Sequence, residues 1–364
     1  MSETIHLIEP TLRDQTGHCF GYDDVVTQYA EQHHLQFIIW AGKGAENLTF
    51  KNKHNQIKAH FIYKFRKLQL YFLYRKLIKQ QAKIFVPTAG RLDLVMLMNL
   101  LKNVSYPHKI FLHFHQFTVS AKKQALLQEL ANLPTSQQLV IMTTTHQLAT
   151  IFTSAGFKHV VVLPCPVPRP DTTDFTAPAS EPTLLYAGAA RADKGFPTVV
   201  ELLEWLEKNN KTIPVRLQIS SSHSGRVDVQ TQNALTKLTT LHYEHLNICA
   251  ETLDQKAYQQ QFNDTICLFL YDAKAYADKF SGATLDALLA GAPIITVTNT
   301  WMGEVACEFN AGIALENLAM ENVYQAIETI YQNYAAYQVC ARQAAEILWE
   351  RHHPKHTLKI LEST

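Results

Sequence analysis

The chain has 364 residues, 47% hydrophobic and 18% charged, a balance that fits two soluble domains with sizeable cores. No apolar run reaches the roughly eighteen residues of a membrane span. The six cysteines, at 19, 165, 249, 267, 307 and 340, form no Cys-x-x-Cys, so reduced thiols are expected rather than a zinc site or a disulfide frame.

The net charge of +1 is unevenly spread. Residues 1–168 hold 18 Lys and Arg against 9 Asp and Glu, while residues 169–364 hold 15 against 23. The two halves are therefore expected to face different partners. The opening MSETIHLIEP is acidic and enters a strand-like run at once, which does not read as a signal peptide. With the scattered cysteines it suggests a cytoplasmic protein.

In chain order, TIHLIEP (4–10) reads as a buried strand, YDDVVTQYAEQ (22–32) as a helix and LQFIIWAG (35–42) as a strand. Further strands are expected at 82–90, 108–117, 138–145 and 159–164, with HQLATIFTSAG (146–156) a helix stopped by glycine. Residues 164–182, rich in Pro, Ser and Thr, read as a linker. The alternation then restarts: a strand at 183–188, a helix at 196–208 with Pro197 in its first turn, and strands at 215–220, 246–250, 265–271 and 293–298. About 318–350 is helical by periodicity.

Strands alternating with helices imply parallel sheets built from βαβ units. The expected fold class is α/β with two doubly wound domains, 1–168 and 183–340, joined by a linker at 169–182. Residues 341–364 are expected to be helical and to return to the first domain. In such sheets ligands lie beyond the carboxyl ends of the strands, so the informative residues should follow each strand.

After the strand at 183–188 comes GAARADKGF, with Gly188, Arg191, Lys194 and Gly195 in the strand-to-helix loop. Two cations beside a helix N-terminus suit a diphosphate, although loop cations are also commonly just solvated. After the strand at 265–271, Ser281 and Gly282 open a helix that Gly291 stops. Its first amides, at Ser281, Gly282 and Ala283, would face an anion. Asp286 lies one turn on, and Asp278 and Phe280 lie on the loop before it. Carboxylates are natural acceptors for vicinal diols, but Asp286 also reads as a solvated helix residue and Asp278 as a turn former.

The spacing Asp278, seven residues, Asp286, then ALLAGAP resembles the donor motif of retaining glycosyltransferases with the GT-B fold, the family-four-like group also called glycosyl transferases group 1. GxxRxDKGF (188–196) resembles that family's phosphate-gripping loop, and the two-domain layout covers nearly the whole chain. The family usually has Glu at both acid positions, and its Arg commonly stands where this chain has Ala189.

The resemblance implies two Rossmann-like domains facing across a crevice and transfer of a sugar from a nucleotide-diphosphate donor with retention. It implies no metal and no other cofactor. Arg191 and Lys194 would hold the diphosphate, Asp278 the transferred sugar, the Ser281–Ala283 amides a phosphate and Asp286 the ribose. The segment near Thr252 and Leu253 would lie beside the base.

In the first half, Gly17 would allow close approach of a donor phosphate, and His18 would touch donor or acceptor. A turn glycine with an exposed histidine reads equally well. His113 and His115 alternate along a strand. They are a possible metal pair with no third ligand at metal spacing, and the resemblance favours His115 beside the reacting sugar. A core histidine is a strong rival.

Residues 47–92 hold eleven Lys and Arg and no acid. Within them, 57–79 reads as a helix with Ile57, Phe61, Phe65, Leu68 and Phe72 on one face. Lys64, Arg66, Lys67, Arg75 and Lys76 would then face an acceptor or an anionic membrane surface. Packing on the domain's own sheet is the alternative, and no motif supports nucleic acid. The acceptor is expected to be a glycan or glycolipid of a bacterial envelope or lipid-linked polysaccharide. Two other functions fit the same pattern: a non-catalytic GT-B-like partner, and a GT-B sugar-nucleotide epimerase, which would need an acid/base set that is not evident. A Rossmann dehydrogenase is disfavoured, because no Gly-x-Gly-x-x-Gly follows the first strand.

Overall fold

The computed structural model describes residues 3–15, 18–168, 181–220, 227–251 and 253–362, with the backbone alone at His18, Ser220 and Gln255. The chain divides into two compact units, Met1–Arg169 with Arg351–Thr364, and Pro170–Glu350.

The first unit holds strands β1 (Glu3–Glu9), β2 (Leu35–Gly42), β3 (Gln56–Phe61), β4 (Lys83–Val86), β5 (Ile110–Phe114), β6 (Leu139–Thr143) and β7 (Val160–Val162). They form one sheet in the order β3-β2-β1-β4-β5-β6-β7, and every pair is parallel. β4 and β5 are buried on both faces, as expected of parallel strands covered by helices.

The second unit holds β8 (Thr183–Ala189), β9 (Val215–Ser220), β10 (Leu246–Cys249), β11 (Thr265–Leu268), β12 (Ile294–Val297) and β13 (Gly312–Leu315). Their order is β10-β9-β8-β11-β12-β13, again all parallel. Both sheets wind outward from their first strand and then reverse. The reversal lies between β1 and β4 in one unit and between β8 and β11 in the other. A doubly wound sheet opens a ligand crevice at that point, beyond the carboxyl ends of the two strands.

The helix Phe196–Lys208 shows why these segments fold as they do. Pro197 sits in its first turn, and Phe196, Val199, Val200, Leu203 and Leu206 are buried at helical spacing. Each such side chain contributes roughly 1.5–3 kcal/mol on burial, and together they pin the helix to the sheet. The helix Tyr334–Arg351 ends at the boundary between the units. Lys355–Glu362 then belongs to the first unit, with Leu358 and Leu361 fully buried. It is held there beside Val167, whose N–H donates to the His352 carbonyl at 3.2 Å, and by His33, whose Nδ1 lies 3.1 Å from Glu362 Oε1.

Two expectations change. The first helix begins at His18 rather than at 22, so His18 opens a helix (His18–Gln28) instead of lying in a loop. The reading of 57–79 as one helix is also wrong. Gln56–Phe61 is the edge strand β3, paired with β2, and the helix is Arg66–Lys79. In Gln-Ile-Lys-Ala-His-Phe, polar and apolar residues alternate with the period of a strand. Phe61 is in the core, whereas Phe65, Leu68 and Phe72 are 60%, 57% and 54% exposed. The helix buries a different face, Leu70, Leu73, Tyr74, Leu77 and Ile78.

Candidate functional site

In the second unit the loops after β8 and β11 meet at the reversal point. Gly195 has φ +72°, and a Cβ there would lie 2.0 Å from the Leu270 carbonyl oxygen. Only glycine fits, because the conformation is left-handed and the space is already filled by backbone. The Asp272 N–H donates to the Asp193 carbonyl at 3.1 Å, which ties the loops together a second time.

Lys194 and Arg191 point differently from this base. Lys194 Nζ lies 3.4 Å from where a Cβ on Gly188 would stand and 6.0 Å from the centre of the Tyr271 ring. Gly188 has φ +140°, so its lack of a side chain leaves room for the ammonium over the end of β8. Burial, and then the Arg191 charge, lower the Lys194 pKa. Arg191 reaches Asp193 instead. Its Nε donates at 2.8 Å to Oδ1, and its Nη2 pairs with Oδ2. This pair is partly exposed, and such a pair is worth about 0–1 kcal/mol.

Ser281 lies close enough to the Tyr271 phenol to lower its pKa against the rise that burial causes, so Lys194, Tyr271 and Ser281 gather at one place. Ser281 precedes the helix Gly282–Leu289 and its side chain makes no cap; its carbonyl takes the Thr284 N–H at 3.2 Å, and the amides ahead of that one are those an acceptor would meet. A Cβ on Gly282 would meet nothing within 4 Å, and Ala283 follows, half-buried. Phe280 stacks edge-on to Trp301, with ring centres 4.7 Å apart. Asp278 is half-buried on the loop between the helix Ala273–Tyr276 and Ser281.

Asp286 accepts a hydrogen bond from the Tyr258 hydroxyl at 3.0 Å. Burial pushes its carboxyl up to about 6, against the lowering effect of that bond. Leu253 is half-buried just before the helix Gln255–Gln260. Thr252 lies outside the described residues, as do Gly17 and the His18 side chain.

The first unit presents acids where the second presents cations. Glu9, the last residue of β1, is fully buried. Its carboxylate takes hydrogen bonds from the Thr11 and Thr88 hydroxyls and from the Thr11 N–H at 3.3 Å. Burial raises its pKa. Asp23 is fully buried, neither carboxylate oxygen has a hydrogen-bond partner among the described residues, and burial with the nearby Glu9 charge raises its pKa far up.

His113 is a core residue. Its Nδ1 lies 2.7 Å from the Tyr22 hydroxyl and its Nε2 2.9 Å from the Leu163 carbonyl, so both nitrogens are engaged. Burial lowers its pKa to about 4. His115 is half-buried just past the end of β5, its Nδ1 3.6 Å from Cys165 Sγ.

On the outer side, Lys64, Lys67, Arg75 and Lys76 are exposed and Arg66 half-exposed. The Arg66 guanidinium lies 5.7 Å from the Tyr63 ring centre, and Lys76 Nζ lies 5.8 Å from that of Trp40.

Sequence reading missed Tyr271, Tyr258, Glu9, Thr88 and Asp23. An acid closing an apolar strand was a signal for Glu9. The two tyrosines carried none.

No family model matches the sequence, and no curated protein matches it. Solved structures do. A glycosyltransferase from Rickettsia africae ESF-5 superposes with a TM-score of 0.76 at 14% identity, over 99% of this chain and 98% of that one. HepE from Anabaena, in complex with UDP-glucose, gives 0.67 at 12% identity over 98% of both chains. The fold is GT-B. WaaG, a glycosyltransferase involved in lipopolysaccharide biosynthesis, gives 0.63 at 14% identity, over 99% of this chain and 100% of that one. The GT-B likeness extends over essentially the whole chain, so both units belong to it.

Proposed function

We propose that this chain is a glycosyltransferase that moves a sugar from a nucleotide-diphosphate sugar to an acceptor hydroxyl, with retention at the anomeric carbon. The observation that carries the reading is the meeting of Lys194, Tyr271 and Ser281 at the reversal point of the second sheet, with Arg191 beside them and the open amides of Gly282–Leu289 next in line. That HepE is a GT-B protein in complex with UDP-glucose supports it.

The demanding step is cleavage of the anomeric C–O bond as charge gathers on the departing diphosphate. Lys194 and the helix N-terminus would oppose that charge as donors in an oxyanion hole do, and Arg191 would join them by exchanging Asp193 for the phosphate. Asp278 would hold hydroxyls of the transferred sugar and Asp286 those of the ribose, with Leu253 beside the base. In the first unit, His115 would meet the reacting sugar. The leaving phosphate can itself take the acceptor's proton, so no separate base is required.

The test is calorimetric binding of uridine, adenosine, guanosine and thymidine diphosphates and their glucose conjugates to the wild type and to Arg191→Ala/Lys194→Ala. Micromolar binding of one nucleotide that the double variant abolishes is the expected result. No binding by any of them would leave a non-catalytic GT-B protein.

A membrane-borne acceptor, such as a lipid-linked oligosaccharide or envelope glycolipid, is the finer reading. Tyr63, Phe65, Leu68 and Phe72 are exposed together, among Lys64, Arg66, Lys67, Arg75 and Lys76, in a stretch without acids. Each cation near anionic lipid contributes about 1 kcal/mol. On this reading the protein would act peripherally, on the cytoplasmic face of a membrane. Replacing the five cations with Gln should release it from vesicles containing phosphatidylglycerol, and unchanged binding would refute the membrane contact.

A further inference from the structure

Tyr258 and Asp286 join the segment after β10 to the helix Gly282–Leu289, and nothing in the sequence pairs them. The Asp254 side chain caps the short helix that carries Tyr258, accepting from the Ala257 N–H at 2.8 Å. The Tyr258 ring stands edge-on to Phe262, with centres 5.3 Å apart. Its hydroxyl donates to Asp286 Oδ2 at 3.0 Å. A phenol that has given its one proton to a carboxylate has only acceptor capacity left. Asp286 Oδ1 is the second acceptor. Two neighbouring oxygens that accept, at least one of them on a carboxylate, match a vicinal diol, which brings two donors.

The position fits as well. Asp286 stands four residues beyond Gly282, and four residues of helix rise about 6 Å. That is the scale separating a phosphate at the helix start from the hydroxyls of the attached ribose.

We infer that Tyr258 is a positioning residue for nucleoside recognition: it fixes the Asp286 carboxylate so that Asp286 Oδ1 and the Tyr258 oxygen each accept one hydroxyl of a ribose 2′,3′-diol. The inference rests on the glycosyltransferase reading and makes the donor site selective for ribonucleotides over 2′-deoxyribonucleotides. The titratable group facing Asp286 is Tyr258. Tyr271 and Cys267 face Tyr258 in turn, and burial keeps both protonated at neutral pH, Cys267 being pushed up to about 12.

The experiment is calorimetry on the full chain with UDP-, ADP-, GDP- and thymidine diphosphate glucose and the 2′-deoxy form of whichever ribose conjugate binds. Wild type should prefer the ribose form by about tenfold or more, the worth of a hydrogen bond to a charged group. Tyr258→Phe keeps the ring against Phe262; it should remove most of that preference and leave the deoxy form within about twofold. The pH below which ribose-form binding weakens should lie near 6 in wild type. It should move higher in Tyr258→Phe, because the lost bond favoured the ionised acid. Asp286→Asn, which keeps the side chain's shape, should lose the same preference.

If Tyr258→Phe weakens both forms alike, or both variants keep the preference, the inference is overturned while the donor site stands. If only thymidine diphosphate glucose, a 2′-deoxy donor, binds the wild type, the inference falls and the transferase reading stands; if none of the four conjugates binds, both fall together.

Discussion

Where β1 and β4 part, the strand ends carry the buried Glu9, with Asp23 and Asp93 close enough to perturb or be perturbed by it. Where β8 and β11 part, they carry Lys194 and Arg191. The two sheets share one winding, yet one carries carboxyl groups buried at its reversal point and the other an amine, Lys194, with the Arg191–Asp193 pair beside it. Each set of groups is also unlike its own surroundings: residues 1–168 sum to +9 and residues 169–364 to −8. A summed charge therefore reports the solvated surface, while a few residues at the reversal point set the chemistry.

The largest expected effect breaks the contrast at its cationic side. Lys194→Ala should lower transferase turnover by roughly 10²–10³-fold, as loss of one donor to a developing oxyanion does. Steady-state kinetics on the donor found by calorimetry would show it. An unchanged turnover would mean that the cations of the second unit do not face the leaving group.

Next comes the scaffold beneath them. Gly195→Ala places a methyl 2.0 Å from the Leu270 carbonyl oxygen, at φ +72°, and should cost roughly 3 kcal/mol in urea unfolding. A cost under about 1 kcal/mol would mean that the two loops are not locked.

The smallest effect lies on the acidic side. Asp23 keeps its proton in the folded state well above the pH at which an unfolded aspartate loses it. Stability is therefore lost as pH rises from about 4 toward that higher folded value. Asp23→Asn, which has no proton to lose, should gain roughly 1–2 kcal/mol over wild type near pH 8 and much less near pH 4.5. Equal unfolding curves at both pH values would remove Asp23 from the comparison.

Much of this frame was legible in the sequence. The helix Phe196–Lys208 and strand Val215–Ser220 fall where periodicity and Pro197 put them. The place of Arg191, Lys194 and Gly195 in the loop between β8 and the helix Phe196–Lys208 was legible, because strand-to-helix loops lie at the carboxyl edge of a doubly wound sheet. The edge strand β3 was not. Ile57 and Phe61 lie four residues apart, a helical spacing that happened to run on into a true helix with no proline or glycine between. The tyrosine–acid and threonine–acid bonds were out of reach for another reason. Tyr258 and Asp286 are 28 residues apart, and Thr88 and Glu9 are 79 apart, so only the folded sheets bring them together.

The segment Arg351–Thr364 also bears on how the chain is made. It completes the first unit, and Leu358 and Leu361 are fully buried there. On the ribosome, Met1–Arg169 emerges first but lacks that helix until the whole of Pro170–Glu350 has followed. At 5–20 residues per second the wait is roughly 10–40 s. The second unit, one uninterrupted stretch, can finish folding before the first, which must hold an uncovered apolar patch through the interval.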